Sequence, residues 1–264
     1  MKKARLMSHQ HANPSQLIQH EQADAIRLNK YISQSGFCSR READRHIESG
    51  AVKIDGQVAE VGTKVFAHQH VTVNGQAIVP KQAHVYLALN KPVGVTSTTD
   101  TKVEGNLTEF MDYPEMIFPI GRLDKESTGL LLMTNDGDIV NKILREENGH
   151  DKSYKVAVDQ PISEEFLKQM AQGVTIFNPV TGKHQKTKKC QVKQVSTYQF
   201  EITLQQGLNR QIRRMAQALG YHVTALERTR VMMIELGNLK PGYYRYLSEK
   251  ELIALNEALK NSTK

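Results

Sequence analysis

The sequence predicts an α+β protein of two unequal parts, and three observations carry that reading. Strand-like and helix-like stretches are interspersed without the regular βαβα beat of a parallel doubly wound sheet. Two similar hairpin signals, VKIDGQVA at 52–59 and VTVNGQAI at 71–78, close a compact unit near Pro80. Beyond a short linker at 81–84 the composition shifts to long apolar blocks. A chain of 264 residues has room for one medium and one small domain.

Residues 1–23 are rich in Gln, His, Ser and Asn, so a disordered extension is expected, with too little to bury against ordering entropy. The small unit, 24–80, begins with RLNKYISQSG, where Leu28 and Ile32 share a helical face and Gly36 stops it. SRREADRHIESG follows, with Ser39 and Glu42 as a capping box, Ala43 and Ile47 as its buried stripe, and Gly50 as the C′ glycine. Each hairpin carries Asp-Gly or Asn-Gly, the pair suited to a type I′ turn. Arg40 and Arg41 sit in a first helical turn, where the macrodipole disfavours positive charge. Two exposed arginines can tolerate that cost, or they can hold a phosphate together with the free N–H groups.

The large unit, 85–250, opens with VYLALN as a buried strand running into the KPVG turn, then NLTEFMDY as a helix. SYKVAVD alternates as a strand, with Tyr154, Val156 and Val158 on one side. PISEEFLKQMAQGV reads as a helix from Ser163, TGKHQKTKKCQVK as a basic loop and QFEITLQ as a strand. In GLNRQIRRMAQALG, Leu208, Ile212, Met215 and Leu219 share one helical face, opposite Arg210, Arg213 and Arg214. A helix and polar tail at 251–264 end the chain.

The formal charge of +7 favours a polyanionic partner but does not choose among RNA, DNA and an anionic membrane surface. No run approaches the roughly 18 apolar residues of a membrane span, and the basic N-terminus lacks the apolar stretch of a secretory signal. Only Cys38 and Cys190 are present, which argues against disulfide scaffolds and cysteine zinc sites and fits a reducing cytoplasm. The ten histidines are scattered, so no metal is expected. NDGD at 135–138 lacks EF-hand spacing and reads as a turn and helix start. Neither GxGxxG nor GxxxxGK[ST] occurs, which leaves nucleotide binding by those loops without support.

The stretch GRLDKESTGLLLMTNDGD, 121–138, places Arg122 and Asp124 between apolar blocks. A carboxylate there needs a partner, because an unpaired buried charge is costly. Arginine is the natural one, binding carboxylates through a bidentate fork, and Arg122 and the 210–214 cluster are available. The pattern alone leaves open a structural ion pair or a reactive carboxylate.

Several motifs carry a resemblance. RLNKYISQSGFCSRREADRHIESGAVKIDGQ resembles an S4 RNA-binding domain, of the αL type. NKPVG, GRLDKESTGLLLMTNDGD, DKSYKV and GLNRQIRRM, in that order, resemble the motifs of the RsuA/RluB/RluE/RluF family of pseudouridine synthases. The resemblance spans about 25–250 and implies a mixed, mainly antiparallel sheet with helices. It implies conversion of a uridine in RNA to pseudouridine without cofactor. Asp124 matches the aspartate that attacks the nucleoside or removes a sugar proton, and Tyr154 the tyrosine that packs on the base. Arg213 matches the arginine that pairs with the aspartate. Lys91 and Pro92 match a mainly structural motif, while Ser127 and Ser153 stand where relatives often carry Thr and Glu. Arg27, Lys30, Arg40, Arg41, Lys53, Arg122, Lys155, Arg210 and Arg214, with the Lys183–Lys193 loop, are the candidate RNA contacts. A cytoplasmic monomer acting on large-subunit ribosomal RNA is the expectation. A tRNA anticodon arm is the alternative substrate, and a non-catalytic RNA-binding or ribosome-assembly protein the alternative class.

Overall fold

In a computed structural model, residues 2–7, 18, 24–81 and 83–263 are described. The small domain packs helices Leu28–Gln34 and Arg40–Glu48 on a four-stranded antiparallel sheet ordered Gln57–Val58, Val52–Ile54, Val71–Val73, Gln76–Ile78. Alternation decides its inner face: Val52, Ile54, Val71 and Val73 are buried with Leu28, Ile32, Ala43 and Ile47. Both hairpin turns have two successive left-handed residues, Asp55 and Gly56 at φ 51° and 85°, then Asn74 and Gly75 at 51° and 79°. That is type I′ geometry, as their sequences predict. Ser39 caps the second helix by accepting from the Glu42 N–H at 3.3 Å.

The large domain is one ten-stranded sheet. Its main path runs Arg5–Leu6, Tyr243–Tyr246, Tyr86–Lys91, Thr128–Thr134, Val223–Val231, Lys152–Val158, Gln199–Leu204, Gln191–Ser196. Pairing is antiparallel except at the Arg5–Leu6 edge and at the midline, where Thr128–Thr134 meets Val223–Val231 in parallel. The midline contact has only two registered positions, Thr128 with Glu227 and Gly129 with Arg228. A Cβ on Gly129 would lie 2.3 Å from the Arg228 carbonyl oxygen, so only glycine lets these strands meet.

Four expectations change. Part of the extension expected to be disordered is ordered, because an exposed sheet edge offers it backbone partners: Arg5 N–H donates to the Gly242 carbonyl (3.0 Å) and Met7 N–H to that of Tyr244 (2.9 Å). Ile18 is buried in the main core, and residues 8–17 and 19–23 lie outside the described residues. The basic loop is a hairpin, Thr175–Asn178 against Lys183–Lys186, leading to the edge strand Gln191–Ser196. Lysine-rich edge strands need only one apolar face, so their alternation is weak in sequence. The C-terminal helix, expected at 251–264 outside the 85–250 unit, spans Glu249–Leu259 and packs into that unit, where Leu252, Leu255 and Leu259 share the core of Ile139 and Ile143.

The fourth concerns Lys30, a candidate RNA contact. Its ammonium instead donates to the Asp138 carboxylate at 2.6 and 2.9 Å, across the domain boundary. Asp138 opens the helix Asp138–Leu144, where a negative charge suits the dipole. NDGD is therefore a turn and helix start that also ties the two domains.

Candidate active site

The first motif builds the site from behind. Lys91 is fully buried, and its ammonium donates to the Pro92 and Val95 carbonyls, both at 2.9 Å, closing the KPVG turn. Burial pushes Lys91 down to about 8, against the pull of Asp124 and Glu126. Gly94 N–H then donates to the Lys125 carbonyl (2.8 Å). Ser97 clamps Leu123 twice, its hydroxyl donating to the carbonyl (2.7 Å) and accepting from the N–H (3.1 Å). Ser127 N–H donates to the Asp124 carbonyl (3.0 Å). Asp124 is thus held from both sides through backbone, leaving its carboxylate free to face a cavity of about 970 Å³.

Arg210, at φ 50°, and Arg213 come from the start of the helix Gln211–Ala218. Arg210 Nη1 and Arg213 Nε each lie 3.8 Å from Asp124 Oδ2. That is ion-pair range but too long for a hydrogen bond. The expected bidentate fork is absent because the Arg213 Nη groups donate elsewhere, to the Val223 carbonyl (3.1 Å) and the Ser127 hydroxyl (3.3 Å). Arg213 Nε is buried without a hydrogen-bond partner. Asp124 is therefore steadied by charge while its oxygens stay uncommitted. Arg210 also donates to Glu126 at 2.9 Å, the main cause holding Glu126 below the usual carboxylate range.

Tyr154 comes from the strand Lys152–Val158 and lines the same cavity. Asp124, Tyr154 and Arg213, far apart in sequence, therefore meet at the sheet midline. Arg122 stands exposed in the cavity wall.

The other candidates scatter. Arg27, Arg40, Arg41 and Lys53 are exposed on the small domain, with Arg40 within 3.4 Å of Asn29 Oδ1. Lys155 does not join the cavity: strand alternation turns it to the opposite face, in register with Glu201 and Glu227. Arg214 does not line the cavity itself but donates to the carbonyl and side-chain oxygens of Asn209, which does. Within the 183–193 segment, Lys188 pairs with Glu146. Among the described residues no group of three His, Cys, Asp or Glu side chains could hold a metal.

Sequence reading missed the two buried cations of the cavity wall, Lys152 and Arg228. The available signal was Arg228 standing two residues after the inward Leu226, which puts a cation on a buried strand face.

Residues 85–218 match the RNA pseudouridylate synthase family and residues 26–65 the S4 domain. The chain is 51% identical over 241 residues to the dual-specificity RNA pseudouridine synthase RluF of Escherichia coli K12, covering 90% of this chain and 81% of that protein. It is 36% identical over 229 residues to the ribosomal large subunit pseudouridine synthase B of Bacillus subtilis, covering 86% and 93%. A solved pseudouridylate synthase superposes with a TM-score of 0.63 at 28% identity, over 87% of this chain and 99% of that one.

Proposed function

We propose, from the premise that this chain belongs to the RNA pseudouridylate synthase family, that it converts a specific uridine of large-subunit ribosomal RNA to pseudouridine with Asp124 as the reacting carboxylate. The observation that carries this reading is the uncommitted Asp124 carboxylate, 3.8 Å from two arginines in a cavity that Tyr154 also lines.

The uridine leaves its stack, at a cost of a few kcal/mol, and phosphate contacts offset that cost. Asp124 then attacks C1′, or removes a sugar proton, and the C1′–N1 bond breaks. Dividing a hard glycosidic cleavage in this way gives easier steps. The uracil turns against Tyr154, C5 bonds to C1′, C5 gives up its proton and N1 gains one. Substrate and product have the same composition, so the stoichiometry requires no redox cofactor and no ATP. Arg213 orients the carboxylate, and Arg27, Arg40, Arg41, Lys53, Arg122 and Arg210 supply phosphate contacts. Lys30, Lys155 and Arg214 are left out of that set by their placement.

Ribosomal RNA as substrate is supported by the Bacillus subtilis relative, a ribosomal large subunit pseudouridine synthase. The words "dual-specificity" in the name of the Escherichia coli relative favour a second RNA target, and a tRNA anticodon arm is the one to test. A monomer acting in the cytoplasm fits both; no described helix is long and apolar enough to cross a membrane.

The test is pseudouridine mapping by carbodiimide adduct and primer extension. Total RNA from cells lacking the protein is compared with RNA from the same cells carrying wild type or Asp124→Asn. A stop restored by wild type alone is expected, with the variant at least about 10⁴-fold slower in vitro and still bound to RNA. No restored stop in ribosomal or transfer RNA would move the assignment to a non-catalytic binding protein.

A further inference from the structure

Two cations in the cavity wall have no role in the scheme above. Arg228 and Lys152 are 3% and 7% exposed. Arg228 Nε donates to the Leu130 carbonyl at 2.7 Å, and Lys152 Nζ to the carbonyls of Gln205 (3.2 Å) and His150 (3.4 Å). Neither has a salt-bridge carboxylate among the described residues, although Asp151 and Glu146 act on Lys152 from a distance. Arg228 Nη2 is buried without a hydrogen-bond partner. Burying two cations against carbonyls alone, one with an orphaned donor, is unfavourable unless another charge arrives.

Their placement says where that charge would arise. Tyr154 and Arg228 are register partners on adjacent strands, so their side chains share one sheet face. Lys152 stands two residues before Tyr154 and lines the same cavity. Gly129, the register partner of Arg228 on the other adjacent strand, lets the two backbones approach closely and so seats Arg228. A uracil packed on Tyr154 would lie beside both cations.

The reaction makes such a charge. When the C1′–N1 bond breaks, its electron pair goes to N1 and spreads over O2 and O4, giving a uracilate anion. This holds whether C1′ passes to the Asp124 carboxylate or a sugar proton does. The charge is discharged later, when C5 attacks C1′, C5 loses its proton and N1 takes one. We propose that Arg228, with Lys152 beside it, forms a fixed cationic wall that stabilises the departing uracilate, an inference that rests on the reading of the Asp124 site. Neutral uridine gains little from such a wall and the developing anion gains much, which is what lowers a barrier. The buried setting keeps water from screening the field.

A purely structural arginine would slow every substrate alike, whereas a leaving-group stabiliser matters less when the base leaves more readily. The experiment uses a stem-loop RNA spanning the mapped nucleotide, with uridine or 5-fluorouridine at that position. Fluorine withdraws charge from the ring with little change of shape. Single-turnover loss of the starting nucleoside is followed in nuclease digests. Arg228→Met is expected to slow uridine about 100-fold and 5-fluorouridine only about 10-fold, with RNA affinity unchanged and Arg228→Lys recovering part of the rate. Equal losses on the two nucleosides, or a loss confined to affinity, would overturn the proposal. If Arg228→Met does not fold, Lys152→Met carries the same comparison and the same criterion. A wild-type protein inactive on both RNAs would instead sink the Asp124 reading.

Discussion

The cations of the S4 domain and those of the cavity are the same residue types in opposite physical states. Arg27, Arg40, Arg41 and Lys53 are exposed to solvent, none of them paired with a carboxylate among the described residues. Lys91, Lys152 and Arg228 are buried, and their ammonium or guanidinium groups are held by backbone carbonyls. An exposed cation adds to phosphate affinity by releasing counterions, and salt screens it. A buried one adds little to affinity for a neutral base but imposes a field that salt hardly reaches. The chain thus separates holding RNA from acting on it, and each half of that division can be broken separately.

The largest effect should come from the backbone that seats Arg228. Gly129 has φ 101°, and an added Cβ would also lie 2.6 Å from the Arg228 nitrogen. Gly129→Ala therefore combines strain with a clash against main chain, which cannot rotate away. A loss of about 3 kcal/mol is expected, or roughly 6–12 °C in a thermal melt for a domain of this size. A shift below about 2 °C would mean that the midline pair opens, and that Arg228 is seated less firmly than its buried contacts imply.

A smaller effect, of different kind, belongs to the exposed set. Arg40→Gln with Arg41→Gln should lower the slope of log K against log salt by about 1.5, if each arginine meets one phosphate. Turnover at saturating RNA should hold. The Arg228 variants should do the reverse, changing turnover and leaving the slope alone. A double variant with an unchanged slope would remove this helix start from the RNA contact surface.

How far each region could be read follows from where its determinants lie in the chain. The S4 helices and turns were legible because a cap such as Ser39 to Glu42, or a turn such as Asn74-Gly75, is complete within four residues. Asp124, Tyr154 and Arg213 were legible only through their resemblance to family motifs; hydropathy alone left Asp124 undecided between ion pair and reactive group. The missing Arg213 fork could not be foreseen, because its Nη groups are taken by Ser127, in the turn before the strand Thr128–Thr134, and by Val223, nearly a hundred residues further on. The N-terminal edge strand was illegible for the same reason: Arg5 finds its partner at Gly242, at the other end of the chain. Arg228 was overlooked because a cation in a strand reads as solvent-facing until its neighbours are known.

Lys30 tests the boundary between the two sets. It lies in the S4 domain, where cations should face RNA, yet its ammonium sits 2.6 Å from Asp138 with the side chains 24% and 18% exposed. Partial burial and the helix start at Asp138 favour this pair over an ordinary surface one, though the desolvation of both groups limits its net worth. Lys30→Ala should destabilise by about 1 kcal/mol or less, with a coupling of roughly 0.5 kcal/mol to Asp138→Ala in a double-mutant cycle. Its salt slope for RNA binding should stay at the wild-type value, because a lysine already neutralised by a carboxylate releases no counterion from a phosphate. A slope lowered by about 1 would show that RNA draws Lys30 away from Asp138. The small domain would then change its seat on the large one when substrate binds, and the division between holding and acting would be joined at this residue.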